Sequence, residues 1–223
     1  MSLDAHAMKV CSLFLLISLS VCANSQDRHV PATVGFTLDF PGANPSHYEI
    51  VISDDGPGSY RSNGQLDEQS GPGDPAPLQF TLSDKVRSQM FDLAQRAHYF
   101  SGKVDSGRKN IANTGAKTLT YKDTQRSTQT TYNYSQLAAV QQLTAIFQGL
   151  STTLEFGRRL GYFHKYEKLA LEQDLQRMEQ LQKENSLGDV QAIATILNEI
   201  ANDQSVINVS RARALRLLAT VGK

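Results

Sequence analysis

All seven prolines of this 223-residue chain lie at or before Pro77, and none follows. Proline breaks helix interiors, because it removes an N–H and its ring clashes with the preceding turn. The chain therefore divides near residue 80. Strands, turns and loops are expected mostly before that point, and uninterrupted helix after it.

The second half carries the matching signal. Leu137, Val140, Leu143, Phe147, Leu150 and Leu154 recur at steps of three and four. Such steps put them on one face of a 3.6-residue helix. Ser135 is placed to cap it. Gly157 and Gly161 interrupt the pattern and mark a bend, a break or a close helix crossing, since a helical glycine costs about 1 kcal/mol against alanine. Phe163, Tyr166, Ala170, Leu171, Leu175, Met178 and Leu181 continue it, so the helical stretch runs from Tyr134 to Glu184. Glu155 with Arg159, and Glu179 with Lys183, stand four apart in the favourable order for exposed pairs. The charge-laced side reads as solvated surface, with a partner-protein groove as the sharper alternative. The heptad does not persist past the glycines, which argues against a long coiled coil.

In the first half, Val34, Phe36, Leu38 and Phe40 alternate with polar or small residues, as do Tyr48, Ile50 and Ile52. That period of two marks strands with one apolar face. Asp54-Asp55-Gly56 is a turn, and Tyr60 begins a return strand. Residues 62–77 read as loop. Leu78, Phe80 and Leu82 suit a short edge strand. A helix over Asp84–Tyr99 follows, with Val86, Met90, Leu93, Ala97 and Phe100 inward and Thr81 or Ser83 as its cap. Leu119 and Tyr121, then Thr128, Thr130, Tyr132 and Tyr134, form a hairpin rich in strand formers. The expected fold is α+β: a small, largely antiparallel sheet of four to five strands with one packed helix, followed by an all-helical region. Leu187-Gly188-Asp189 ends the long helical stretch. Two further helices follow, the first capped by Asp189 and the last carrying Val206, Val209, Arg213, Leu217, Leu218 and Val221, with Gly222 stopping it.

The start of the chain indicates a compartment. Lys9 precedes an apolar run over residues 11–21, and Val21-Cys22-Ala23 supplies small residues for cleavage after Ala23. Basic end, apolar core and small-residue site make a signal peptide, too short for a membrane-spanning helix. Met8 is an alternative start to Met1. Leu19-Ser20-Val21-Cys22 also approaches a bacterial lipobox, which would make Cys22 a lipidation site, although Val21 departs from the pattern. Both cysteines, Cys11 and Cys22, lie in this segment, so the mature chain would have neither disulfide nor thiol. The organisation is then a signal peptide at 1–23, a tether at 24–33, an α+β domain at 34–134 and a helical region at 135–223. The formal charge is balanced, with 22 basic and 22 acidic residues, which argues against a nucleic-acid partner.

Motifs for chemistry are sparse. Asp54 and Asp55 are candidate acids or Ca²⁺ ligands, but no twelve-residue calcium loop surrounds them and aspartate suits a turn. His164 and Glu167 share a helix face at a metal-compatible spacing without a second ligand pair. His47 and His98 have no ligand spacing. No nucleophile elbow, phosphate loop, dinucleotide fingerprint or zinc pattern occurs, and no cofactor is expected. Tyr121, Tyr132 and Tyr134, with Lys122 and Arg126, are a candidate aromatic–basic patch for a glycan or peptide. Arg158, Arg159, Arg211 and Arg213 are candidate anion or acidic-partner contacts. Asn133-Tyr134-Ser135 and Asn208-Val209-Ser210 match the N-glycan acceptor pattern.

Tyr48-Glu49-Ile50-Val51-Ile52-Ser53-Asp54-Asp55-Gly56, the helix end Leu93-Ala94-Gln95-Arg96-Ala97-His98-Tyr99-Phe100, and the stretches 115–123, 154–160 and 206–214 resemble a family of exported acidobacterial proteins of unknown function. The resemblance spans roughly residues 32–220. It implies a periplasmic or outer-membrane lipoprotein setting and no particular activity. The leading expectation is a non-enzymatic envelope module binding another envelope protein, a peptide or a glycan. The alternatives are an extracytoplasmic hydrolase using a carboxylate/histidine site, and a structural or folding-helper protein acting through its helical arm.

Overall fold

The computed structural model describes residues 30–66 and 77–221. The signal segment with Cys22, most of the tether, loop residues 67–76 and Gly222 lie outside the described residues.

The first half builds one antiparallel sheet. Its strands are β1 (Thr33–Asp39), β2 (His47–Ser53), β3 (Pro57–Ser62), β4 (Leu78–Thr81), β5 (Ala116–Lys122) and β6 (Ser127–Tyr132), in the order β4-β3-β2-β1-β5-β6. The expectation of four to five strands becomes six. Pro57 does not interrupt β3, because it is the first residue of the strand, where proline is tolerated. The registers Phe36↔Ile50 and Phe36↔Leu119 place β1 at the centre.

Alternation sorts the two faces. Val34, Phe36, Ile50, Ile52, Tyr60 and Leu119 are fully buried. The opposite face carries Thr37, Glu49, Arg61, Thr118 and Gln129. α1 (Asp84–Arg96) covers the apolar face with Met90, Leu93 and Ala94. It ends earlier than expected, because His98, Tyr99 and Phe100 all take positive φ and turn the chain back. That turn still buries Phe100, and it leaves Tyr99 between the Tyr121 ring and the Arg126 guanidinium. Ser83 is the N-cap residue of α1, but its side chain makes no capping bond. Its backbone N–H instead donates to Asp189 at 2.7 Å.

The long helix α2 (Ala138–Tyr166) shares the sheet's core, with Phe36 stacked on Phe147 at 5.0 Å. It runs through both Gly157 and Gly161 without a break. Gly157 is instead the close crossing, since a Cβ there would come within 2.5 Å of Ile193 Cγ2. A similar approach joins Gly149 to Gly188, whose N–H donates to the Gly149 carbonyl at 3.0 Å. The helical stretch breaks later, at Glu167, where φ is −143°. The N-cap is Leu137 rather than Ser135, whose hydroxyl accepts the Leu137 N–H.

A tight turn leads into α3 (Leu171–Lys183). The chain then passes through a second tight turn at Val190–Ile193 into α4 (Ala194–Asn202) and α5 (Asn208–Leu218). Asp189 caps the Val190–Ile193 turn as expected, accepting from the Gln191 N–H at 3.1 Å. α5 is rotated from its expected face. Ser210, Ala214 and Leu217 are buried while Val209 is 44% exposed. Arg213 reaches acids of α3, bonding Glu172 at 2.9 Å and also Glu179. Among the described residues, no helix is long and apolar enough to cross a membrane.

Candidate functional site

Most of the polar side chains singled out from the sequence are engaged with one another. Glu155 does not pair with Arg159. It turns from α2 toward the end of β3, where it is 7% exposed. Its Oε1 accepts from the Tyr60 hydroxyl at 2.7 Å and from the Ser62 hydroxyl. Arg158 Nη1 donates to both carboxylate oxygens, at 3.0 and 3.1 Å, and to Ser62 Oγ at 2.6 Å. The Tyr60 oxygen also meets Ser151 Oγ at 3.1 Å. Burial, reinforced by the negative charge of Glu155, pushes the Tyr60 phenol well above its ordinary range. It therefore acts as a neutral donor. Gly64 closes the cluster, for a Cβ there would stand 2.5 Å from Glu155 Oε2. A buried carboxylate needs this many donors, because an uncompensated one would not remain charged. The cluster consequently locks β3 to α2.

Of this group the sequence marked Arg158 alone as a candidate site residue, and placed Glu155 in an exposed pair with Arg159. The missed members lie more than ninety residues away along the chain from their partners. The only local signal was an acid and a base three apart on a helix otherwise apolar at that level.

His164 and Glu167 are not brought into one site. His164 Nε2 meets Asp203 Oδ2 at 2.9 Å, whereas Glu167 lies exposed beyond the end of α2. Lys168 Nζ reaches the same Asp203 oxygen at 2.6 Å and also bonds Ser205. Hydrogen bonds from Lys168 and from the side chain and backbone of Ser205 pull the Asp203 carboxyl far below the usual range. A serine beside a lysine suggests a nucleophile and base, but here the amine is in an ion pair with Asp203. The group ties the end of α2 to the turn between α4 and α5.

Arg159 pairs with Asp174 at 2.8 Å, and Glu179 is held by Arg213 and Arg216 rather than by Lys183. Burial opposes ionisation of Glu179, but the two arginines outweigh it and lower its pKa. Arg211 donates to the Ala201 carbonyl and to Asn208 Oδ1, both at 3.2 Å. Tyr132 is buried with its hydroxyl against Thr144, and Tyr121 packs on Tyr99. Burial pushes each phenol up to about 12. Tyr134 alone of the three is exposed, accepting from Gln141. Asp54 and Asp55 occupy the β2–β3 turn, where Asp54 Oδ1 is buried with no hydrogen-bond partner among the described residues and Asp55 is exposed. The Asn133 side chain is spent on the loop before β5, donating to the Ala112 carbonyl and accepting from the Thr114 N–H. Among the described residues, no group of three or more His, Cys, Asp and Glu is arranged to hold a metal ion.

Several concave surfaces are open among the described residues, and one of them borders the edge of the sheet. A groove of about 530 Å³ runs between β4, α2 and α4. Leu78 and Phe80 form one wall, Ile193 and Ile196 the other, and Gly157 and Gly161 lie on α2 between them. All four residues of β4 line it, and among the described residues β4 pairs only with β3. The two glycines differ. Ile193 fills the space beside Gly157, whereas a Cβ on Gly161 would meet nothing within 4 Å. The comparison of this chain with protein-family models, with curated proteins and with solved structures finds no match.

Proposed function

We propose that this protein is an exported, non-enzymatic binding module whose groove between β4 and α4 takes an extended, largely apolar peptide segment. The observation that carries this reading is Gly161. A glycine inside a 29-residue helix lowers its stability by about 1 kcal/mol against alanine. Close neighbours explain Gly149 and Gly157, but no atom among the described residues explains Gly161. A small residue that leaves an apolar hollow open is what a ligand side chain needs. The volume is within the usual range for a binding cleft. An edge strand also offers main-chain donors and acceptors to an added strand, which favours a peptide over a glycan.

Separation of the candidate residues supports binding rather than hydrolysis: His164 is paired with Asp203, Glu167 lies exposed beyond the end of α2, and Asp54 and Asp55 sit apart in the β2–β3 turn. Export is supported by Lys9, the apolar run 11–21 and the small residues at 21–23. The intact mass of the mature protein tests it: a start at Asn24 means a soluble exported protein, and an acylated Cys22 means a membrane anchor.

Filling the groove tests the binding reading. Gly161→Leu is expected to abolish capture of apolar peptides while leaving the far-UV circular dichroism unchanged and the Tm equal or higher. Undiminished capture by that variant would overturn the reading.

A further inference from the structure

Glu199 stands on the α4 wall of the groove, three residues beyond Ile196. It is the one charged residue among the described residues lining it. Glu199 is exposed, and its side chain has no hydrogen bond or ion pair among the described residues. The acids of α3 and the turn after α4 contrast with it: Glu172, Glu179 and Asp203 each hold a cation.

The geometry relates Glu199 to an added strand. Alternate side chains of a strand project to the same face, about 7 Å apart. Ile196 and Glu199 are separated by about 4.5 Å of helix rise, and the length of the glutamate and of a lysine or arginine closes the remainder. A peptide in the groove that runs alongside α4, with an apolar side chain over Gly161 and Ile196, has its next same-face side chain within reach of Glu199. We infer that the groove selects an extended peptide in which a lysine or arginine stands two residues from an apolar anchor, an inference that rests on the peptide-groove reading above. The apolar residue fills the hollow, and the cation supplies the charge that Glu199 lacks.

The test uses a phage-displayed library of random decapeptides, selected on the full mature chain and on three folded variants, Gly161→Leu, Glu199→Gln and Glu199→Lys. The wild type is expected to enrich apolar-x-basic sequences. Glu199→Lys should enrich an acidic residue at the same place. Glu199→Gln should keep the apolar anchor without the basic preference, and a labelled wild-type hit should bind it about two- to fivefold more weakly by fluorescence anisotropy, the range for a rim charge pair. If Gly161→Leu enriches nothing while Glu199→Lys returns the wild-type sequences, the charge inference is overturned and the groove reading stands. If Gly161→Leu returns the wild-type sequences, or the wild type enriches none, both are overturned. A dimer on size exclusion that Gly161→Leu dissolves would make a second copy the occupant, and would likewise overturn the peptide assignment.

Discussion

Two neighbouring levels of α2 treat the sheet's β3–β4 side in opposite ways. At Glu155 and Arg158 the helix meets the end of β3 through a buried carboxylate surrounded by hydroxyls and a guanidinium. At Gly161, less than one turn beyond Arg158, it faces β4 across open apolar space. The first contact is saturated with polar groups, so it holds the fold together and has little capacity for anything else. The second has a missing side chain that no internal neighbour requires. Chemistry-bearing residues alone therefore mislead in this molecule. The richest cluster is structural, and the candidate site is where side chains are absent.

Substitutions can break that contrast, beginning with the polar level. Glu155→Leu removes the carboxylate that accepts from the Tyr60 and Ser62 hydroxyls and leaves Arg158 as an uncompensated, nearly buried cation. The expected loss is about 3–5 kcal/mol in urea unfolding. The double variant Glu155→Leu/Arg158→Met should recover much of it, because an apolar pair of similar volume often replaces a buried ion pair at little cost. A loss below about 1 kcal/mol for the single variant would remove the lock from the comparison.

Next come the tight glycines. Gly157→Ala must push Ile193 aside, and Gly64→Ala must displace the Glu155 carboxylate. Each should lower stability by about 1–3 kcal/mol, the cost of overpacking, measured as a fall in Tm.

The C-terminal end of α2 adds a pH test. The Asp203 carboxyl lies far below its unfolded value through its bonds with Lys168 and Ser205. A depressed acid stabilises the fold above its unfolded pKa of about 3.9, and that stability is lost as pH falls further toward the folded value. Asp203→Asn should therefore flatten the acid limb of a Tm–pH profile below about pH 4. An unchanged limb would show that the tie between α2 and the α4–α5 turn does not form.

The smallest effect is the sharpest discriminator. Gly161→Ala should stabilise the helix by about 0.5–1 kcal/mol, opposite in sign to Gly157→Ala four residues earlier. Equal signs would mean that the two glycines share one environment, and the contrast would collapse.

Much of the architecture was legible before the fold. Alternation at Val34–Leu38 and Tyr48–Ile52 marked the strands and their buried side. Steps of three and four from Leu143 to Leu154 marked the inner face of α2. Asp189 was recognisable as a cap, because its bond to Gln191 spans only two residues. The errors fall where a distant partner overrides a local preference. Glu155 and Glu179 had favourable helical neighbours four residues on, worth a few tenths of a kcal/mol each. Partners more than thirty residues away offered buried or bidentate contacts and won. The inner face of α5 is likewise set by what it packs on: Ser210, Ala214 and Leu217 are buried and Val209 is left in solvent.

By itself, then, the sequence determined an antiparallel sheet followed by helices, and the faces of the sheet and of α2 that turn inward. Period, capping and proline placement are local and act wherever the chain goes. Only the tertiary structure decided which charges are buried, that α2 continues to Tyr166, and that one of two similar glycines is filled while the other lies open. Those outcomes depend on which atoms of remote segments arrive beside them, and no spacing along the chain encodes that arrival.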